Sequence, residues 1–133
     1  TSFLLVSCIR ENTSTEDLME MAPENATLKY SGNFIQGPYG NNVNGKAEKK
    51  KKNGIFTLVF NDSFTINNGP DLYVYVSKEQ QPTQFISLGR LKSVNGGQTY
   101  TFTSAINFDD YKYAVVHCQQ YNHLFSYALL QKL

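Results

Sequence analysis

The sequence predicts an all-β fold, a single antiparallel β-sandwich of about eight strands. Three observations predict it. Short runs rich in Val, Ile, Phe, Tyr and Thr recur along the chain with alternating faces, as in Ile55 to Phe60 and Leu72 to Val76. Turn residues separate them at regular intervals, at Asn53-Gly54, Asn67-Asn68-Gly69-Pro70-Asp71 and Asn95-Gly96-Gly97. Only Thr15 to Met21 has helical character, and without a capping Glu it supports no more than one loose turn.

In chain order, the first element is Phe3-Leu4-Leu5-Val6-Ser7-Cys8, an apolar run that looks like the tail of a bacterial lipoprotein signal peptide. On this reading residues 1–7 are the signal remnant, and Cys8 carries the lipid as the first residue of the mature protein. Residues 8–26 are then a flexible tether, opening on the polar run Arg10 to Asp17. The apolar run is far too short to span a bilayer. The competing reading makes Leu4 to Ile9 a core strand with Cys8 paired to Cys118. The polar run that follows Cys8 at once gives such a strand no exit turn, which favours the lipid. The expectation is a membrane-anchored lipoprotein of the bacterial cell envelope, extracytoplasmic, with the lipid bilayer as a partner through acylated Cys8.

Residues 27–133 form the sandwich domain. A first pair of strands is expected around Leu28 to Ile35 and Val43 to Ala47. Lys49-Lys50-Lys51-Lys52 runs into Asn53-Gly54, a two-residue hairpin signal, and Ile55 to Phe60 follows. The lysines therefore lie on a strand, and on an edge strand they block edge-to-edge pairing; contact with a polyanion or anionic lipid is the alternative. Leu72 to Val76, Phe85 to Leu91, Gln98 to Phe102 and Tyr113 to Cys118 continue the series, and a last strand spans about His123 to Gln131.

A chain of 133 residues suits one domain. Its net charge of +1 gives no electrostatic case for nucleic acid. The sequence contains no phosphate loop, nucleophile elbow, His-Glu-x-x-His or Cys-x-x-Cys. An enzyme of the usual kinds is not indicated, and the layout of a papain-like protease is absent.

What remains is Cys118 with the two histidines, His117 and His123. A hairpin turning at Gln120-Tyr121, or through Gln119 to Asn122, places Cys118 opposite His123 and points His117 the other way. A thiol beside an imidazolium is more acidic and more reactive. The same pair offers two ligands to a copper or haem iron, although nothing in the sequence requires a cofactor. The alternative is a small buried hydrophobe beside a hairpin histidine.

Two loop features have a structural and a functional reading. Gly69-Pro70-Asp71 makes a good turn, while Asn61, Asp62, Asn67, Asn68 and Asp71 supply hard oxygen donors suited to calcium if they converge. Tyr73 and Tyr75 share the face opposite Leu72, Val74 and Val76. They serve either as a platform for a sugar or partner, or as a second layer of the sandwich.

Taken together, Gly32-x-Phe34, Gly69-Pro70-Asp71-Leu72-x-Val74, Leu88-Gly89-x-Leu91, Gly97-Gln98-x-Tyr100 and Cys118 with Phe125-x-x-Ala128-x-Leu130 resemble the DM-thirteen domain family. The similarity covers Leu28 to the C-terminus, and Gly69, Pro70, Asp71, Leu72 and Cys118 are its specific parts. It implies a β-sandwich of extracellular and envelope proteins, sometimes beside haem-binding domains, and a redox or electron-transfer role hung on the cysteine, here Cys118. His117 stands where an aromatic residue is common, and Ser126 where glycine is usual. The function expected is thus a redox module centred on Cys118, with a redox or envelope protein as partner. The alternative is a non-catalytic binding or adhesion module for a glycan or envelope protein.

Overall fold

The computed structural model describes residues 12–102 and 108–133. Cys8 lies outside the described residues. The strands are β1 (Asp17–Met19), β2 (Thr27–Gln36), β3 (Lys46–Lys52), β4 (Ile55–Phe60), β5 (Leu72–Ser77), β6 (Phe85–Arg90), β7 (Asn95–Phe102), β8 (Tyr113–Cys118), β9 (His123–Leu129) and β10 (Gln131–Lys132). They join in one sheet in the order β1-β7-β4-β3-β2-β9-β8-β5-β6, with β10 against β2. The fold is all-β, and the expected strands are present except that the one expected over Val43 to Ala47 begins only at Lys46 and runs on through the lysines, Asn44 making an isolated bridge to Thr65. The two additional strands are β1, from the segment read as tether, and β10, where the final strand breaks as Leu130 N–H leaves the ladder to donate to Lys112 O at 2.7 Å.

One sheet makes a sandwich because β2 belongs to both halves. It pairs with β3 through Thr27 to Asn33 and with β9 through Phe34 to Gln36. Gly32 stands at the crossover, where a Cβ would lie 2.0 Å from the backbone oxygen of Leu129, so the close approach requires glycine. The sheet then curls over a single main core. Leu58, Phe60 and Tyr100 from one half meet Val74, Val76, Ala114, Val116 and Cys118 from the other, with Phe34 at the junction and Phe64 from a loop joining them. Phe34 packs edge-on against Phe60 with centroids 4.8 Å apart.

The Asn53-Gly54 hairpin forms as predicted, with φ of 53° and 80° at its two central residues and Lys52 opposite Ile55. The edge assignment of the lysines is corrected, because β3 is flanked by β2 and β4 and lies inside the sheet. Alternation turns Lys49 inward, to 0% exposure. Its Nζ sits 4.4 Å from the centroid of the Tyr30 ring and donates to Tyr111 O at 3.4 Å. Burial pushes the Lys49 ammonium down to about 8.

The expected helical turn over Thr15 to Met21 is also corrected. Asp17 to Met19 pair in parallel with Asn95 to Gly97. The edge of β7 gives this uncapped segment backbone partners that an isolated turn lacks. Gly96, at φ +91°, admits it; a Cβ there would lie 2.1 Å from Leu18 O. Val94 N–H donates to Ser14 O at 2.9 Å, Ser93 Oγ to Ser14 O at 3.1 Å and to Glu16 O, and Asn95 Nδ2 to Thr15 O at 2.9 Å. Contacts to the domain reach back to Asn12, which bridges Pro70.

Candidate functional site

The residues singled out in the sequence converge at one end of the sandwich, where β5 begins and β8 turns into β9. Leu72 pairs with Cys118, and Gln119 N–H donates to Asp71 O at 3.0 Å. The Gly-Pro-Asp-Leu segment and the cysteine segment, far apart in sequence, are therefore neighbouring strands. Asp71 adopts φ 59°, a left-handed conformation that aspartate tolerates. Its buried carboxylate meets Arg90 Nη1 at 3.3 Å, and the guanidinium lies over the Tyr73 ring, 5.0 Å from the centroid. Gly69 lies under Phe125, where a Cβ would come within 2.6 Å of Cζ.

The β8–β9 turn runs through Gln119 to Asn122, and Cys118 faces His123 in register, as predicted. A bulge between Val116 and His117 pairs Val116 with Ser126 but His117 with Leu124. The strand therefore fits Phe125 into the main core. The two opposed residues occupy different environments. Cys118 is 1% exposed and belongs to the main core. The His123 ring stacks on Tyr39 with centroids 3.6 Å apart and planes within 4°, and Tyr121 lies 5.9 Å away.

His117 points away from Cys118, as expected. It is 3% exposed, on the outer face beside Tyr75 at 5.5 Å between centroids. Nε2 donates to Asn122 Oδ1 at 2.8 Å, which leaves Nδ1 as a buried acceptor without a donor. Burial pushes the His117 pKa down; the Asn122 hydrogen bond opposes the shift and nearby His123 adds to it.

The tyrosines of β5 form a second packed layer rather than a bare platform. Tyr75 is buried on the outer face with Val115 and Leu124. It stacks on Phe85 at 4.0 Å and approaches Tyr73 at 6.5 Å. Burial pushes its phenol up, the Asp71 charge adds to this, a hydrogen bond with Gln119 opposes it, and Tyr73 and Cys118 contribute in the same upward direction. An aromatic cluster thus runs from His117, the residue before Cys118, through Tyr75 to Phe85, which is 40% exposed.

The loop amides are engaged inside the protein. Asn61 Oδ1 accepts from Lys46 N–H at 3.0 Å, Asn67 Oδ1 from Asn41 N–H at 2.7 Å and Asn68 Oδ1 from Thr13 N–H at 2.9 Å. Together with the Asp71–Arg90 pair, these bonds give the loop residues structural work. Among the described residues no group of three or more His, Cys, Asp or Glu could hold a metal ion.

Sequence reasoning missed the isolated Nδ1 of His117, the buried and equally unpartnered Ser126 Oγ, and the burial of Tyr75. Alternation signals which face each residue takes. It carries no signal that Phe85 and Tyr73 would cover that face. The motif Gly97-Gln98-x-Tyr100 has a structural explanation: Tyr100 OH donates to Gln98 Oε1 at 2.5 Å and accepts from Lys92 N–H at 3.0 Å, while Gln98 Nε2 donates to Ser93 O at 2.9 Å. The pair clamps the loop between β6 and β7.

A family model described as Electron transfer DM13 matches residues 34–130. No curated protein and no solved structure matches the chain.

Proposed function

The chain belongs to the Electron transfer DM13 family, and from that premise we propose that it is a cell-envelope lipoprotein, anchored through Cys8, whose domain passes single electrons with Cys118 as the redox group. Partners exchange electrons with it across the protein rather than by thiol–disulfide exchange. The observation that carries this reading is the position of Cys118: 1% exposed in the main core, one residue after His117, whose ring meets the Tyr75–Phe85 stack on the other face of the sheet. Attack on a disulfide requires access to the thiolate, which burial denies. Outer-sphere transfer requires none. In the oxidised state the thiol has given one electron to an outer-sphere metal-complex acceptor and one proton to solvent, and it regains both on reduction.

The test is the electron count with an inorganic outer-sphere oxidant of the hexachloroiridate class. The wild type and Cys8→Ser are expected to give up the same equivalents, Cys118→Ser to lose them, and Tyr75→Phe to keep them at a lower rate. Full uptake in Cys118→Ser refutes the assignment to the thiol. The same burial favours a second reading, a non-catalytic binding or adhesion module. That reading is supported if a partner binds equally well to the wild type and Cys118→Ser while neither gives up electrons.

A further inference from the structure

We propose that the end of the sandwich carrying Tyr39, Tyr121 and His123 is the face that lies on the bilayer, with the two tyrosines seated among the lipid headgroups. This inference rests on the reading of Cys8 as the lipid-bearing residue. The described chain begins at this end. Asn12 bridges Pro70, and Thr13 is held to Asn68 by two hydrogen bonds, N–H to Oδ1 at 2.9 Å and Nδ2 to the Thr13 carbonyl at 2.6 Å. Cys8 stands four residues before Asn12, a reach of at most about 14 Å for extended chain. A lipid on Cys8 therefore holds Pro70 close to the headgroups, and the opposite end of the domain stays away from them.

The surface at the tethered end fits that partner. Asn67 Nδ2 donates to Tyr39 O at 3.1 Å, and Tyr39 N–H donates to Leu124 O at 3.1 Å, so the tyrosine loop is fixed to the loop that receives the N-terminal segment. Tyr39 is 50% exposed and Tyr121 56%, with the His123 ring stacked on the first and close to the second. Tyrosine combines an apolar ring with a hydroxyl that stays hydrated, the property that concentrates it at membrane–water interfaces. The stack holds the two rings in place, so little conformational entropy remains to be lost on contact.

The chain contains no tryptophan, so Tyr39→Trp, Tyr121→Trp and Ile55→Trp each introduce a single reporter. Ile55 adjoins the Asn53-Gly54 turn, at the far end of the β3–β4 hairpin. Each variant is produced behind a complete lipoprotein leader in a host that acylates such cysteines. It is checked for native fold by circular dichroism, and placed in phosphatidylethanolamine–phosphatidylglycerol vesicles with and without acyl chains brominated near the headgroup. The expected result is blue-shifted, bromine-quenched emission at positions 39 and 121 and unchanged emission at 55. Acylated Cys8 with unquenched reporters at 39 and 121 overturns this inference and leaves the anchor standing. A mass spectrum with Cys8 unmodified overturns the anchor and this inference with it.

Discussion

Replacing His117 with phenylalanine separates the electrostatic behaviour of this side chain from its packing. The imidazole is 3% exposed, bonded to Asn122 through Nε2 and unpartnered at Nδ1. Burial holds its pKa below the ordinary 6.5. Above that value the folded and unfolded chains both carry neutral imidazole, and the group adds no pH dependence. As the pH falls below it, the unfolded chain takes up a proton that the folded chain refuses. Stability then falls by up to about 1.4 kcal/mol per pH unit, until the lowered folded pKa is reached. At neutral pH, His117→Phe gives up one hydrogen bond, worth about 1 kcal/mol, and removes a buried acceptor whose desolvation costs about 1–3 kcal/mol. The released Asn122 amide is exposed and rehydrates. The variant is therefore expected within about 1–2 kcal/mol of the wild type at pH 7.5, and to gain on it steadily below pH 6.5. The assay is urea unfolding by circular dichroism at half-unit steps from pH 7.5 to 5, read as the difference between the two chains. The lowered carboxyls of Glu20 and Glu79 titrate in both chains and cancel. A difference that stays constant across this range refutes the reasoning, as does one that grows in favour of the wild type.

Gly32→Ala is expected to cost about 3 kcal/mol or more, since its Cβ would meet the backbone oxygen of Leu129 and part β2 from β9; thermal unfolding within 1 °C of the wild type would contradict the crossover. Ser126→Ala removes a fully buried hydroxyl that lacks a partner, so the variant should be more stable by about 1 kcal/mol in chemical denaturation, and a loss would mean that the hydroxyl is bonded. Lys49 is held down to about 8 against an ordinary 10.5. Between those values the unfolded chain keeps a proton that the folded chain has released, so wild-type stability rises with pH there. Lys49→Met lacks that rise, and a wild-type minus variant difference that is flat from pH 7 to 10 would remove the argument.

The strands were legible because alternation and turn chemistry are local. Asn53-Gly54 fixes a hairpin from two residues, and the length of the Gln119 to Asn122 turn fixes Cys118 opposite His123. What each strand meets on its second edge is not local. Lys46 to Lys52 carries the signature of an exposed edge, yet Thr27 to Asn33, itself polar, pairs along it and the alternation turns Lys49 inward. Thr15 to Met21 has a weak helical signal that any available sheet edge outweighs, and β7 supplies that edge beside Gly96. At the candidate site the register was readable and the burial was not. Cys118 shares the core with Phe125, which a bulge brings there, and no spacing in the sequence announces a bulge.

The burial of Cys118 narrows what electron transfer can mean for this domain. In the oxidising compartment proposed above, an exposed unpaired cysteine would soon be capped or crosslinked, so a thiol that persists there is a shielded one, and shielding removes it from contact chemistry. Under the proposal, the surface that a redox partner meets is not the sulfur but the rings on the other face of the sheet, Phe85 and Tyr73, with Arg90 lying over the latter. Arg90 carries a half-exposed guanidinium held by Asp71. The Gly-Pro-Asp-Leu segment therefore has a role that a turn alone does not explain. Asp71 fixes the charged rim of that surface through Arg90, and its carbonyl fixes Gln119, the residue after the cysteine. Steering of a charged partner by such a rim acts on association rate and weakens with salt. The electron count, assigned by the proposal to Cys118, should not change with salt. Under the proposed mechanism, rate and stoichiometry thus belong to different residues of one corner of the fold.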